Sequence, residues 1–509
     1  MNLKLNFPDR PQAILALLRA AKYGVLLVFT VLCGMAVVVL PPGLTVRAFA
    51  ALGVLTFLAF AWGYPSLPGR EPPNRILKLI ASLMFLFAII WPQYIFLSVA
   101  SLPRVNPFTL GSFLFLALVA VISLHYRSFS AELGRGLASV RGLLIVYVCW
   151  MCWRVVTSAV VDFPVSRILE IFREFVFIHS AFFVGLILSR SDGWRERLNN
   201  LLICASLVVA AAGIVEAIEQ RNRFVAFASA DEAGQLGSVI ANIASEKLRS
   251  GTFRVQSVFG HPILFGQFLG AMLPLLFAAF VSRSGIIYRG LIIAVTLLCL
   301  VGIWKSGSRS GVLAAVTSVA VLALLVWWRV LKYSNVFRGL AIALVPVLIL
   351  GAAVGAMAMQ ELVRGKSQTE ASSSSTRLVQ LNAAISAASD SPILGYGQSS
   401  ALGLAGVSGS GGLLTMDVHY ISLLLDSGLV GFVLFIVLAV WMIGRLVAHG
   451  INTKGPPGLF ACALVAASVS VLVTLSAVAI PQNLYLFFLA FGCLVGLNRE
   501  KNESGESKA

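Results

Sequence analysis

Residues 418–443 read VHYISLLLDSGLVGFVLFIVLAVWMI and are almost entirely apolar after their first positions. A run of this length can cross the roughly 30 Å hydrocarbon core of a bilayer as an α-helix, which needs about 20 residues. Similar runs recur along the whole chain. Because a spanning segment must satisfy its own backbone groups in lipid, the sequence predicts an all-α, polytopic membrane helix bundle of about 12–14 transmembrane helices.

Composition supports this prediction. The 509 residues are 59% hydrophobic and 12% charged, and the mean hydropathy is +0.92. A soluble protein of this size could not hide so much apolar surface. Cys149 and Cys152 have redox-like spacing but lie inside an apolar run, so we expect them to pack as small hydrophobes. The predicted spans are 23–40, 48–63, 79–99, 107–125, 142–161, 174–189, 199–217, 262–281, 290–304, 311–328, 339–358, 418–443, 458–477 and 481–498.

The distribution of Lys and Arg predicts the topology. With a cytoplasmic N-terminus, 23 of the 38 Lys and Arg fall in cytoplasmic segments, against 7 in the short outside connections. The positive-inside rule, which counts short loops, therefore places both termini in the cytoplasm. Topology explains most of the net charge of +17, so no nucleic-acid partner is expected. The predicted divisions are a transmembrane bundle at 1–217, a periplasmic loop at 218–261, central transmembrane helices at 262–359, a large periplasmic loop at 360–417, C-terminal transmembrane helices at 418–498 and a cytoplasmic tail at 499–509.

The two long loops are predicted to carry short amphipathic helices. In the larger loop, Arg377 begins a segment whose apolar residues recur at helical spacing. Asp390-Ser-Pro392 stops that helix, and Gly395-Tyr-Gly397 makes a turn. In the smaller loop, residues 237–248 are the candidate for a surface helix. The apolar residues at helical spacing after Arg377 are Leu378, Leu381, Ile385 and Ala388.

Several cations lie on the outer side in short connections, where topology gives no reason for them. For Arg167 and Arg173 we expect pairing with nearby acids. Lys305 and Arg309 flank a Ser- and Gly-rich turn with no acid within twenty residues. Exposed backbone N–H groups beside fixed cations favour anion binding there. Arg154 is a further outer cation, and Arg254 and Arg377 join this group from the long loops.

Asp417 and His419 stand at the mouth of the 418–443 helix. A histidine, with an ordinary pKa of about 6.5, is suited to act as a general base. The alternative is that Asp417 caps the helix and His419 only occupies its first turn. His261, before Pro262, is expected to cap or pack. No nucleotide-binding or metal-ligand motif is present, so neither a metal nor a cofactor is predicted.

Four stretches together resemble the O-antigen ligase and polymerase family of bacterial envelope polysaccharide enzymes, over roughly residues 250–445. They are Arg254-Val-Gln-Ser-Val-Phe-Gly-His-Pro262, Ser306-Gly-Ser-Arg309-Ser-Gly311, Arg377 through Pro392-Ile-Leu-Gly-Tyr-Gly397, and His419-Tyr-Ile-Ser-Leu-Leu-Leu-Asp-Ser-Gly428-Leu-Val-Gly431. The resemblance implies a glycosyltransferase of the bacterial inner membrane. Members of the family transfer undecaprenyl-pyrophosphate-linked glycans at the periplasmic face, without a nucleotide sugar or an essential metal.

The resemblance implies roles for seven residues and a set of partners. The partners are the lipid-linked glycan donor, a glycan acceptor, the lipid bilayer and a chain-length regulator of the polysaccharide machinery. A bound pyrophosphate suits arginine, whose planar fork pairs with phosphate oxygens. The implied catalytic residues are His419 and Asp417, and the implied substrate-binding residues are Arg254, Lys305, Arg309, Arg377 and Tyr420.

One departure bears on the type of transfer. Ligases usually carry a histidine about eleven residues before the glycine that here is Gly428, whereas His419 precedes it by nine and Asp417 occupies the eleventh place. The Asp-x-x-Tyr pattern looks more like polymerase members, so polymerisation is favoured over ligation to a lipid or protein acceptor. A lipid-linked oligosaccharide flippase or exporter, and a non-catalytic scaffold, are the alternatives from other classes.

Overall fold

The structure, a computed structural model, describes residues 71–92, 94–95, 106–227, 248–249, 252–334, 368–408 and 414–506. In this part of the chain ten helices are long and apolar enough to cross a membrane, so the predicted all-α membrane bundle is confirmed. The first helices are α1 (Asn74–Ile90), α2 (Pro107–His125), α3 (Arg127–Ala138), α4 (Arg141–Ala159), α5 (Pro164–Glu174), α6 (Ser180–Leu188) and α7 (Trp194–Glu219). The later helices are α8 (Pro262–Ser282), α9 (Ile286–Lys305), α10 (Arg309–Tyr333), α11 (Gln368–Asp390), α12 (Ala401–Ala405), α13 (His419–Asn452), α14 (Gly455–Thr474) and α15 (Leu484–Glu506).

The remaining elements are short. Two antiparallel pairs of two-residue strands lie in the long loops, a π-helical turn joins α5 to α6, and two 3₁₀ turns occur. The strands are β1 (Leu248–Arg249), β2 (Thr252–Phe253), β3 (Val407–Ser408) and β4 (Leu414–Thr415), the π turn is Phe175–His179, and the 3₁₀ turns are Arg223–Phe227 and Pro481–Asn483.

Ten predicted spans fall wholly on described residues and 79–99 does so in part, and each coincides with helical structure. Spans 23–40, 48–63 and 339–358 lie outside the described residues. Two edges differ for clear reasons. Helix α1 ends at Ile90 because Trp91 is extended (ψ 125°) before Pro92, as a residue before proline prefers. Helix α5 begins at Pro164, ten residues before the predicted edge, because charged residues interrupt the apolar pattern of its first turns.

Successive spanning helices run up and down, so the connections fall at two ends of the bundle. We call the end that carries residues 220–227, 252–261, 306–308, 391–408 and 414–418 the loop face, and the other end the tail face. Ion pairs join the helices at the tail face: Glu132 pairs with Arg190 and, at 3.7 Å, with Arg499, while Arg195 lies 3.3 Å from Glu500. These three arginines therefore join helix ends at the tail face.

The core of the later half forms where α8 packs against α10 and α14. Small residues permit the close approach: a Cβ on Gly266 would lie 3.0 Å from the Cα of Gly311. Polar side chains also join the helices, since Asn483 donates to Gln267 at 2.7 Å and Gln267 donates to Thr474. Small interfacial residues and interhelical hydrogen bonds are the usual means of holding membrane helices together.

Helix α11 in the larger loop ends at Asp390, as predicted, but it begins at Gln368 rather than at Arg377. Its packed face also differs from the apolar pattern. Leu378 and Ile385 are about 60% exposed, whereas Gln380 and Ala384 are buried. Small residues face the protein because α11 packs closely against α12 and α13. Of the predicted surface helix at 237–248, only Leu248 is described, and it lies in β1; the rest lies outside the described residues.

Candidate functional site

Helix α13 is broken near its loop-face end, and the break organises the site. Gly428 has φ 65° and ψ −175°, a conformation essentially confined to glycine. The interruption leaves helix carbonyls and one amide without partners inside the helix, and residues 391–400 form hydrogen bonds with them. Tyr396 and Gly397 donate their N–H groups to the carbonyls of Leu425 and Asp426 at 2.8 and 2.9 Å. The loop motif and the helix motif are thus one interlocked unit.

Glycines make this interlock possible. A Cβ on Gly428 would lie 2.0 Å from the carbonyl oxygen of Ile393, and one on Gly395 would lie 2.5 Å from the amide of Gly428. Gly395 also has a positive φ of 69°. The predicted turn is therefore present, and its glycines allow two backbones to touch.

Asp426 belongs to this scaffold. Its carboxylate accepts hydrogen bonds from the backbone N–H groups of Ser399 at 3.0 Å and Ala401 at 2.9 Å. The residue is 9% exposed. Its carboxylate therefore holds the loop to α13.

A buried ion pair lies beside the same loop. The Arg154 guanidinium binds both oxygens of the Glu174 carboxylate, with Nη1 at 3.1 Å and Nη2 at 2.5 Å, and Nη2 also donates to Gln398 at 2.7 Å. Arg154 is 4% exposed. The seven proposed site residues did not include this group. The signal in the sequence was a lone arginine inside the apolar run of α4, because a charge within a span requires a partner.

Arg167 and Arg173 differ from the expectation of acid pairing. Arg167 donates to the carbonyl oxygens of Asp162 and Gln398, both at 2.8 Å, and to the Ser400 hydroxyl. It therefore fixes the loop through backbone oxygens rather than through carboxylates. Arg173 lies over the ring of Phe177, 5.9 Å from its centroid. Among the described residues it forms no ion pair.

His419 is the first residue of α13, at the loop face. Its amide donates to the Leu475 carbonyl at 3.0 Å, and the backbone of Ala479 interacts with its imidazole. The imidazole also lies within electrostatic range of Arg154 and Glu174. The fold thus brings the predicted base near the buried ion pair, although His419 lies more than 240 residues after both members of that pair in the sequence.

The other two residues at this helix start are used structurally. The amide of Asp417 donates to the Gln380 side chain at 3.1 Å. Val418, rather than Asp417, occupies the N-cap position of α13. The Tyr420 hydroxyl donates to the Leu472 carbonyl at 2.7 Å, which ties α13 to α14.

Three of the predicted substrate-binding cations meet at one turn, which we call the turn cluster: Arg254, Lys305 and Arg309. Arg254 Nε donates to the Ser306 carbonyl at 3.0 Å, and Val255 N–H donates to the Lys305 carbonyl at 3.1 Å. The turn between α9 and α10 puts Lys305 and Arg309 on either side of it. Sequence positions 254 and 305–309 therefore form one basic surface at the loop face.

A buried carboxylate supports the turn cluster. Glu216, 4% exposed, accepts hydrogen bonds from the amides of Ser257 at 2.5 Å and Gln256 at 3.2 Å. It thereby holds the segment that carries Arg254. Glu216 lies in the apolar C-terminal half of α7, and a lone carboxylate in an apolar run is the sequence signal for such a buried contact. His261 accepts from the Ile263 amide at 3.1 Å, so the predicted capping role is confirmed.

The remaining site predictions concern Arg377 and metal binding. The backbone of Arg377 lies in α11, and its side chain is outside the described residues. In the described part of the chain, no group of three His, Cys, Asp or Glu residues could hold a metal ion.

One region of the chain matches a known protein family. Residues 294–436 match the family model described as O-antigen ligase. The match supports the predicted O-antigen ligase and polymerase family and covers three of the four motifs on which that prediction rests. It includes six of the seven predicted site residues and leaves out Arg254. A search of curated proteins gave no match.

Proposed function

We propose, on the premise that residues 294–436 form a domain of the O-antigen ligase family, that this chain is a glycosyltransferase of the bacterial inner membrane. It polymerises or ligates undecaprenyl-pyrophosphate-linked oligosaccharide units at the periplasmic face, without a metal. The observation that carries the proposal is the turn cluster. Three cations from two distant segments, Arg254, Lys305 and Arg309, gather at one Ser- and Gly-rich turn on the loop face.

The turn cluster suits the leaving group of such a transfer. Negative charge builds on the pyrophosphate as its bond to the sugar breaks, and fixed cations stabilise that charge. Arginine can contact two phosphate oxygens at once. Glu216 and the hydrogen bond from Arg254 to Ser306 keep the cluster in place. Arg377, from the same loop face, is a further proposed contact to the donor.

His419 is the proposed general base. The acceptor hydroxyl oxygen forms a bond to the anomeric carbon as that carbon loses the pyrophosphate, and the hydroxyl proton passes to the imidazole. Asp417 assists at the start of α13. Tyr420 is a proposed substrate contact through its ring, because its hydroxyl proton is used by the Leu472 carbonyl.

Polymerisation is favoured over ligation by the position of Asp417, eleven residues before Gly428. The alternative function, a flippase or exporter, predicts charged residues near the middle of the membrane. The charged groups of the proposed site instead lie at or near the loop-face ends of their helices, which supports an enzyme acting at a surface. A chain-length regulator is a proposed partner of the polymerase.

The test replaces one cation and follows both binding and product. We expect Arg309→Ala to abolish binding of undecaprenyl pyrophosphate to the detergent-solubilised chain and to stop glycan assembly in cells. Arg309→Lys should restore part of both, because it keeps the charge and loses the planar fork. Arg445→Ala, which removes a cation at the tail face, is the matched control. Wild-type binding and full-length glycan in a well-expressed Arg309→Ala protein would contradict the proposal.

A further inference from the structure

A cleft of about 350 Å³ opens between α2, α5, the π turn and the start of α15. Its volume lies within the range of about 300–1,000 Å³ that is typical of small-molecule sites. Most of its lining lies outside the region matched by the family. The residues used in the argument below are Glu170, Arg173, Phe177, Gln398, Ile480 and Gln482.

The chemistry of the lining differs from that of the turn cluster. Two carboxylates, Glu170 and Glu174, stand in the cleft against one guanidinium, that of Arg173. The guanidiniums balance these acids, since Arg154 binds Glu174 and Arg173 lines the cleft, so the lining has no excess positive charge to attract a pyrophosphate. An uncharged ligand rich in hydroxyl groups finds both acceptors and donors, since amide side chains from Gln398 and Gln482 supply each kind.

Part of the lining is held in place before any ligand binds. Gln398 accepts from the buried Arg154 at 2.7 Å, and Glu174 is fixed by the same guanidinium. Ser399 donates its hydroxyl to Glu170. The ring of Phe177, below Arg173, adds an apolar surface. Preorganised polar groups beside an aromatic face suit a sugar ring, which has hydroxyls at its edge and C–H groups on its faces.

The cleft also adjoins the proposed base. Ala479, whose backbone interacts with the His419 imidazole, is followed directly by the lining segment Ile480-Pro481-Gln482. Glu174 lines the cleft and lies within electrostatic range of the same imidazole. A sugar bound there is therefore next to the group that would remove its hydroxyl proton.

We infer that this cleft binds the terminal sugar of the glycan acceptor, while the turn cluster binds the pyrophosphate of the donor. The inference rests on the proposed glycosyl transfer and adds the location of the second substrate. Arg173 and Gln482 hydrogen-bond to the sugar hydroxyls, and Phe177 packs on a face of the ring. His419 stands at the boundary through which the acceptor oxygen reaches the donor.

Two probes separate the sites in the full chain in detergent. One is undecaprenyl pyrophosphate, and the other is the repeat-unit oligosaccharide released from its polyprenyl carrier by mild acid. We expect Arg173→Gln and Gln482→Ala each to weaken oligosaccharide binding about tenfold or more, as loss of one or two hydrogen bonds implies. Ile480→Trp, which fills the cleft without changing its charge, should do the same. All three should bind undecaprenyl pyrophosphate as the wild type does.

Arg445→Gln is the matched control for Arg173→Gln, because it makes the same change at the tail face. Arg309→Ala should show the opposite pattern, with oligosaccharide binding retained and undecaprenyl pyrophosphate binding lost. Suppose that undecaprenyl pyrophosphate binds through Arg309. The acceptor cleft is then overturned if the three cleft variants bind the oligosaccharide normally, or if the wild type does not bind the oligosaccharide. If undecaprenyl pyrophosphate binding does not depend on Arg309, the proposed function itself fails.

Discussion

Gly428→Ala tests the break in α13 that holds the 391–400 loop. Alanine at φ 65° and ψ −175° is strained by about 1–3 kcal/mol. Its Cβ would also lie 2.0 Å from the Ile393 carbonyl oxygen, which is backbone and cannot rotate away. The helix and the loop must therefore separate.

The separation removes three backbone hydrogen bonds, from Tyr396 to Leu425, from Gly397 to Asp426 and from Leu429 to Pro392. Each is worth about 1 kcal/mol. With the strain included, the variant should lose on the order of 4 kcal/mol. It should also displace the neighbouring Gln398, so glycan assembly should fall more than protein level does.

The assay is thermal unfolding of the detergent-solubilised protein, together with the length of surface glycan in cells. Gly444→Ala is the matched control because it lies in the same helix, and a Cβ there meets no atom within 4 Å. It should be neutral or stabilising by up to about 1 kcal/mol. If Gly428→Ala unfolds at the same temperature as Gly444→Ala and makes normal glycan, the interlock between loop and helix does not have the role described.

Three further predictions concern the ion pair, the base and the topology. Arg154→Met should destabilise the protein by about 3–5 kcal/mol, because it removes the guanidinium that pairs with the Glu174 carboxylate. Arg154→Met with Glu174→Gln should recover much of the loss in thermal unfolding, and a double variant no more stable than the single would contradict this. His419→Ala should keep the fold, lose about 10²–10⁴ in transfer rate and accumulate lipid-linked single repeats. Asp417→Asn should be partly impaired. Normal polymer from His419→Ala at normal protein level would place the base elsewhere. Cysteine labelling should find residues near 230 and 400 in the periplasm and residues near 130 and 450 in the cytoplasm, and labelling of a C-terminal tag from the periplasm would refute the topology.

The helices were predictable because membrane insertion depends on local composition. Each described span coincided with an apolar run, and the errors came at edges such as Pro164, where charged residues begin a helix that later becomes apolar. The predicted end of α11 at Asp390 was also confirmed, because Asp-Ser-Pro is a local stop signal. The apolar stripe predicted the wrong buried face of α11, because close packing against α12 and α13 favours small side chains such as Ala384 over Leu378.

The sequence by itself determined the fold class, the similarity of residues 294–436 to the O-antigen ligase family and the residue types that carry charge at the loop-face ends of the helices. These depend on hydropathy, on short motifs and on the count of cations along the chain. Only the tertiary structure decided which distant residues meet: Arg254 with the 305–309 turn, Arg154 with Glu174 and Gln398, and Gly395 with Gly428. The reason is that local pattern fixes how a segment crosses the membrane, whereas packing among the crossed helices fixes which of their ends become neighbours.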